Sequence, residues 1–176
     1  MLHDRNDAYR LLRELGAPGR LLLHVQLVGV AADRLVREYV ALGVEFDARM
    51  IELGVALHDA GKIDHPGELD GPGSLHEPAG KALMLAHGVP AELAEYCVSH
   101  AAWHERGVSF EELSVALADK LWKGKRLALL EFRVIDEIAA RLSVTRWDVF
   151  LRLDTVFEEV AAGADERLQR SGMIET

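Results

Sequence analysis

The chain of 176 residues carries 20 basic and 29 acidic side chains, for a formal net charge of −9, which argues against stable binding to nucleic-acid phosphates. Apolar residues make up 49% of the chain, enough to bury the core of one domain. We therefore expect a single domain over residues 1–176 with no signal peptide and no membrane span, and its one cysteine, Cys97, suits the reducing cytoplasm.

Apolar residues recur with helical spacing along the chain, and no stretch alternates like a strand. The predicted helices cover about residues 8–15, 20–42, 46–59, 75–87, 91–104, 110–122, 127–142 and, from Ser143 or Thr145, up to residue 169. Glycines and prolines separate them, and Ser74 with Glu77 and Ser109 with Glu112 match the capping-box pattern. The predicted fold class is therefore all-α, a single bundle of about eight helices.

A histidine and an aspartate stand side by side at the end of the third predicted helix. His58 and Asp59 follow the apolar run 50–57, where buried polar groups cost free energy unless they are paired or bound to a metal. Neighbouring side chains on a helix point about 100° apart, but at the last turn both can reach an ion beside the helix end. Gly61 is then expected to end the helix in the left-handed conformation, with Lys62 following as a free cation. The alternative is a solvated helix end with an incidental His-Asp pair.

Two further polar residues interrupt strongly apolar helical stretches. His24 lies in the most apolar predicted helix, and Asp119 lies among the apolar neighbours of the sixth. Either residue has a purely structural alternative. His24 could be a core histidine bonded to the backbone, and Asp119 could pair with Lys120 or Lys123.

Two more histidines adjoin helix ends. His76 lies in the first turn of its helix, directly after the turn-rich loop 61–73, and His100 closes a predicted helical segment. Simple solvent exposure is the alternative for His76. A mixed set of imidazoles and carboxylates suits six-coordinate manganese, iron or cobalt, and ligands from several helices can converge inside a bundle.

The order and helical context of these residues resemble the HD-domain superfamily of metal-dependent phosphohydrolases. His24, the pair His58-Asp59 and then Asp119 follow the order of its ligands. The segment 58–63 is similar to the His-Asp-Ile-Gly-Lys-Ile phrase of the HD-GYP branch. The resemblance therefore implies an HD-like helical core with the metal site in the bundle interior.

The resemblance covers about residues 20–123, and the additional C-terminal helices over residues 126–170 match nothing in it. No Gly-Tyr-Pro follows residues 104–107, which departs from the HD-GYP branch. The chain is more similar to the small bacterial single-domain hydrolases that act on nucleotides.

The resemblance also implies roles for individual residues. The implied ligands of one ion are His24, His58, Asp59 and Asp119. The implied additional ligands in branches with two ions are His76 and His100, with Asp59 as the bridge. Lys62 is implied to contact substrate phosphate, so Lys62 and Asp59 are the expected catalytic residues. One or two divalent ions are expected, with manganese, iron or cobalt preferred and magnesium, nickel or zinc also compatible.

The expected function is hydrolysis of a phosphoester or phosphoanhydride in a small phosphorylated substrate, most simply a nucleotide, with no stable nucleic-acid or membrane partner. Two alternatives would use the same residues: an HD-type di-iron oxygenase, and a non-catalytic regulatory domain that binds a nucleotide. His104, one turn beyond His100, is a candidate substrate contact or outer ligand. His3, His65 and His87 are expected to lie outside the site.

Overall fold

The computed structural model describes residues 2–172, so Met1 and residues 173–176 of the predicted domain lie outside it. Its helices are α1 (Arg5–Glu14), α2 (Gly19–Leu42), α3 (Ala48–Leu57), α4 (His76–Ala86), α5 (Ala91–Ala94), α6 (Tyr96–Ser99), α7 (Phe110–Leu121), α8 (Ala128–Leu142), α9 (Arg146–Ala162) and α10 (Ala164–Gly172). Two 3-10 turns, Ala60–Ile63 and Pro66–Leu69, lie between α3 and α4. The described residues include no strand, and the all-α prediction is confirmed.

α2 is the longest helix and lies at the centre of the bundle. It packs against α3, α7 and α9, and it also contacts α1 and α10. Its buried residues include Leu21, Val25, Val28 and Ala32, at the three- and four-residue steps of one helix face. Gly43, with φ of 77°, ends the helix in the left-handed conformation. Neither α2 nor any other described helix has the length and apolar composition needed to cross a membrane.

The elements that carry the predicted ligands form a ring around the end of α3. α3 packs against α2 and α7, and the 3-10 turn that follows it packs against α4. α4 contacts α6, and α6 contacts α7. These contacts bring helices that are distant in sequence to the point where the His-Asp pair lies.

Two predicted helices are interrupted. The helix predicted over residues 91–104 consists of α5 and α6, followed by turns. The last helix breaks at Gly163 into α9 and α10. Arg167 of α10 donates from its guanidinium to the carbonyls of Trp122 (2.7 Å) and Leu121 (3.1 Å) at the end of α7. These two bonds attach α10 to the C-terminal end of α7.

The start of α4 also departs from the prediction. The capping box expected at Ser74 is not formed, and the N-cap residue Leu75 makes no side-chain cap bond. The carboxylate of Glu68 accepts instead from the backbone N–H of Leu75 (3.2 Å) and of His76 (3.1 Å). The capping box predicted at Ser109 is formed and starts α7.

Candidate metal centre

All six predicted ligand residues lie at one place inside the bundle. They are His24 of α2, His58 and Asp59 at the end of α3, His76 at the start of α4, His100 at the end of α6 and Asp119 of α7. Five of them are at most 7% exposed, and the side chain of His24 is 13% exposed. Side chains from five helices therefore converge in a nearly buried cluster.

Asp59 lies at the centre of this cluster. Its Oδ2 lies 2.7 Å from Nε2 of His24 and 3.5 Å from Nε2 of His58. Its Oδ1 lies 3.2 Å from Nε2 of His76 and 3.5 Å from Nε2 of His100. The two carboxylate oxygens thus face two different pairs of imidazoles, as they would in a carboxylate shared by two ions.

The cluster divides into two groups that share Asp59. The Oδ2 group consists of His24, His58, Asp59 and Asp119, and the Oδ1 group consists of Asp59, His76 and His100. In each group, one candidate ligand atom per residue lies within 4.8 Å of the others. Asp119 belongs to the first group because its Oδ1 lies 3.6 Å from Nε2 of His58 and 4.0 Å from Nε2 of His24. The groups offer four and three ligand atoms, which leaves coordination positions for water or substrate.

The local fold turns the adjacent side chains of the His-Asp pair toward one point. His58 is the C-cap of α3, and its N–H bonds to the carbonyl of Gly54 at 2.9 Å. Its Nδ1 reaches back to the carbonyl of Val55 at 2.8 Å. Asp59 then leaves the helical conformation, with φ of −105° and ψ of 15°. This change of backbone direction offsets the rotation of about 100° per residue that a continued helix would impose.

Three imidazoles are oriented by a hydrogen bond on Nδ1. The Nδ1 of His58 donates to the carbonyl of Val55 at 2.8 Å. The Nδ1 of His100 donates to the carbonyl of Tyr96 at 3.1 Å. The Nδ1 of His76 lies 2.6 Å from Oε2 of Glu68. Because carbonyl and ionised carboxylate oxygens only accept, Nδ1 carries the proton in each ring. In a neutral ring the opposite nitrogen, Nε2, then presents its lone pair to the centre of the cluster. Burial lowers the pKa of His76, but the carboxylates of Asp59 and Glu68 outweigh this and raise it, so metal binding at His76 would release a proton.

Three Nε2 atoms of the cluster, one of them in His24, have no hydrogen-bond partner. Those of His24, His58 and His76 are buried, and although carboxylate oxygens lie nearby, none makes a hydrogen bond of acceptable geometry. Leaving a buried polar atom unsatisfied costs about 1–3 kcal/mol, so such atoms are rare. Three of them at one point favour a ligand that accepts lone pairs. The nitrogen and oxygen donors here fit a divalent ion such as manganese, iron or cobalt.

The charges in the cluster are set for metal binding at neutral pH. Burial raises the pKa of Asp59, but the surrounding imidazoles, His58 foremost, reverse this and hold it well below its ordinary value. Burial is likewise outweighed at Asp119, whose pKa is held well below normal by His58 and Lys120. Burial, and then the neighbouring His58, lowers the pKa of His100 to about 4. The carboxylates are therefore ionised and His100 is neutral, the states in which they bind metals.

Glu68 is a residue of the site that the sequence reasoning missed. Its Oε2 lies 2.6 Å from Nδ1 of His76 and accepts from the N–H of the same residue, while Oε1 accepts from the N–H of Leu75. One carboxylate therefore starts α4 and also orients the imidazole. The only signal in the sequence was the position of Glu68 in the turn-rich loop just before a candidate ligand.

Gly61 is not left-handed, so the prediction that it ends α3 in this way is wrong. It lies within the 3-10 turn Ala60–Ile63 and is absent from the glycines with positive φ. A Cβ at this position would overlap the carbonyl oxygen of His76 and the backbone nitrogen of Gly80. Glycine is needed here because the turn and α4 approach each other closely, and that approach brings His76 to Asp59.

Three lysines face the two carboxylates. Lys62, expected as a free cation, has a side chain only 14% exposed, and its Nζ lies 2.7 Å from Oδ2 of Asp59. Nζ of Lys120 lies 2.7 Å, and Nζ of Lys123 3.8 Å, from Oδ2 of Asp119. The salt bridges considered for Asp119 therefore coexist with its approach to the histidines, because each uses a different oxygen. Burial, with the nearby lysines, lowers the pKa of Lys123.

The other candidates lie outside both groups. His104 is mostly exposed, with its Nε2 3.4 Å from a carboxylate oxygen of Glu105, and is not part of the cluster. His3, His65 and His87 lie outside both groups as expected, with His3 and His87 exposed and His65 partly buried. A cavity of about 690 Å³ lies elsewhere, between α1, α3 and the turn after α4, and none of the six candidate ligands lines it.

Comparison of the chain with protein-family models, with curated proteins and with solved structures found no match in any of the three. The chemistry of the site is therefore inferred from its own residues alone. These residues form buried histidine and aspartate clusters that could bind metal ions.

Proposed function

We propose that the protein is a metal-dependent phosphohydrolase of the HD type. The observation that carries the proposal is the position of Asp59, which directs one oxygen toward His24 and His58 and the other toward His76 and His100. A carboxylate shared between two sets of ligands suits a two-ion hydrolytic centre. The substrate would be a phosphoester or phosphoanhydride, with a nucleotide as the favoured case.

Each group of the cluster would hold one ion. Manganese, iron or cobalt suits the mixed donors best, with magnesium, nickel or zinc as further candidates. A bound divalent ion lowers the pKa of a coordinated water toward neutrality and polarises a phosphoryl oxygen.

The side chains of the protein would bind and orient the substrate. Lys62 is held beside Asp59 on a largely buried stem, and its ammonium would offset negative charge on the transferred phosphoryl group. Asp59 remains ionised at neutral pH, because its pKa is held well below the ordinary value, and can accept a hydrogen bond from the attacking water. Cys97 is not a competing nucleophile, since burial raises the pKa of its thiol to about 12.

The lysines favour this function over the di-iron oxygenase. A di-iron oxygenase activates dioxygen, a neutral molecule that gains little from three lysines beside the ligands, whereas a phosphoryl group needs cations. A regulatory domain could bind the same anion, and turnover separates it from an enzyme. A net charge of −9 and a single cysteine agree with a small phosphorylated ligand, rather than nucleic acid, and with a cytoplasmic location.

The test is metal-dependent turnover. The purified protein is stripped with a chelator, reloaded with each candidate metal and assayed on p-nitrophenyl phosphate and on nucleotides. We expect activity only after reloading, its loss in His58→Ala, and its retention in His87→Ala, which removes an exposed imidazole. Full activity in the stripped protein or in His58→Ala would contradict the proposal, and oxygen-dependent turnover with iron alone would support the oxygenase.

A further inference from the structure

The lysines beside the cluster come from two separate elements. Lys62 belongs to the 3-10 turn after α3, whereas Lys120 lies in the last turn of α7 and Lys123 in the turn that follows that helix. They contact different carboxylates, Lys62 that of Asp59 and the other two that of Asp119. The cations are therefore grouped at two positions on the Oδ2 side of the cluster.

Two of these lysines are held with little access to solvent, and the third is more exposed. The side chains of Lys62 and Lys120 are 14% and 18% exposed, and that of Lys123 is 38% exposed. A partly buried ammonium has lost hydration, which costs free energy unless other groups replace it. Lys62 and Lys120 each donate one hydrogen bond of 2.7 Å, to Asp59 and Asp119 respectively, although an ammonium has three N–H donors. Arg126, just beyond them in the chain, donates three hydrogen bonds of 2.5–2.9 Å to Glu131 and Asp154.

The carboxylates do not balance these cations. Three lysines face two aspartates, which leaves one positive charge in excess on this side of the cluster. Any bound divalent ion would add positive charge. A chain with a net charge of −9 thus has a locally cationic site, which attracts anions of high charge.

We propose that this site takes an oligophosphate chain, with Lys62 beside the reacting phosphate and Lys120 and Lys123 beside the next phosphate. This inference rests on the proposed hydrolytic function and specifies its substrate class. Nζ of Lys120 and Nζ of Lys123 lie 2.7 Å and 3.8 Å from the same oxygen of Asp119, so the two ammonium groups are close together. Two ammonium groups there match the several oxygens of a second phosphate, while a monoester would leave them unused.

The experiment measures anion binding by calorimetry to the full chain loaded with manganese. The probes are orthophosphate, pyrophosphate, and a triphosphate analogue with non-hydrolysable bridges. We expect the wild-type protein to bind the triphosphate analogue at least about tenfold more tightly than orthophosphate. One added charge-assisted hydrogen bond to the second phosphate would give a difference of this size.

Single lysine variants locate the second phosphate. Lys120→Ala and Lys123→Ala should each reduce the preference for the triphosphate analogue by about fivefold to tenfold and leave orthophosphate affinity nearly unchanged. Lys62→Ala should lower the affinity for orthophosphate and for the triphosphate analogue by the same factor. Lys81→Ala is the matched control, since this lysine has similar exposure to Lys123 and pairs with Glu95 on the surface. Metal content and the far-UV circular dichroism of each variant exclude lost ions or unfolding as the cause.

The outcomes separate this inference from the proposed function. Equal affinity for all three anions, or an unchanged preference in both Lys120→Ala and Lys123→Ala, would overturn the oligophosphate assignment even if phosphoesters are hydrolysed. A preference that depends on Lys120 and Lys123 would support it. If that preference is accompanied by no turnover with any metal, the hydrolase proposal fails while the binding assignment stands.

Discussion

The two groups that share Asp59 are built in different ways. The Oδ2 group takes its side chains from α2, α3 and α7, which have 24, 10 and 12 residues and pack directly on one another. The Oδ1 group takes His76 from the first residue of α4 and His100 from the end of the four-residue helix α6. Its geometry depends on the loop that carries Glu68.

This difference predicts unequal metal affinity. Apart from the shared Asp59, the Oδ2 group has one carboxylate and two imidazoles on well-packed helices, whereas the Oδ1 group has only two imidazoles. More anionic ligands on more rigid elements bind a divalent ion more tightly. We therefore expect the ion at the Oδ1 group to be lost first, and the predictions below test this asymmetry.

Removal of Asp59 should have the largest effect, because it is the only residue in both groups. Asp59→Ala should lose both ions and lower kcat/KM by more than about a thousandfold. Metal analysis and steady-state kinetics check this result. Asp136→Ala, which removes an exposed aspartate paired with Arg146, is the control, and substantial activity in Asp59→Ala would refute the bridging role.

Gly61→Ala should disrupt the close packing of the 3-10 turn after α3 against α4, which brings His76 to Asp59. The added Cβ overlaps backbone atoms of α4, so we expect a loss of about 3 kcal/mol in the free energy of unfolding and release of the Oδ1 ion. Chemical denaturation and metal titration measure both. Gly67→Ala is the control, since a Cβ there meets no atom within 4 Å. Equal behaviour of the two variants would show that the close approach has no such importance.

Lys62→Ala tests the Oδ2 side without removing a ligand. It should bind metal and melt like the wild type, yet lower kcat/KM by roughly tenfold to a thousandfold, because an electrostatic contact to the transition state is lost. Lys62→Arg should recover part of the rate, since it keeps the charge but changes the geometry. Wild-type kcat/KM in Lys62→Ala with a nucleotide substrate would leave the lysine as a structural partner of Asp59.

Glu68→Gln should affect the Oδ1 group alone. The neutral amide is a poorer partner for Nδ1 of His76, and loss of such an outer contact lowers metal affinity by about tenfold to a hundredfold. Titration with manganese should show a lower affinity at the Oδ1 group, the weaker site, and an unchanged affinity at the Oδ2 group. Glu158→Gln, on the exposed surface of α9, is the control. Equal weakening of both sites would contradict the separation of the groups.

The sequence predicted site residues best where a polar side chain lies within an apolar helical stretch. His24, Asp119 and the pair His58-Asp59 stand among apolar neighbours, and the structure brings all four residues together. Helix ends were also readable where one short segment determines them, as at the capping box of Ser109. In each case the signal lies within a few neighbouring residues of the sequence.

The sequence was least informative where a loop folds back on a helix. Glu68 replaces Ser74 as the cap of α4, and no periodicity links it to His76 eight residues later. Gly61 looked like a helix terminator, but its role depends on how closely α4 approaches. The position of Lys62 beside Asp59 likewise depends on the 3-10 turn, which has no distinctive pattern.

The most direct test of the central claim, that two ions share Asp59, is the number of ions per chain. Protein loaded with manganese and freed of excess metal is analysed by mass spectrometry for the wild type, His76→Ala and His100→Ala. The shared-carboxylate arrangement predicts close to two ions in the wild type and close to one in each variant. A single ion in the wild type, unchanged by either substitution, would contradict it.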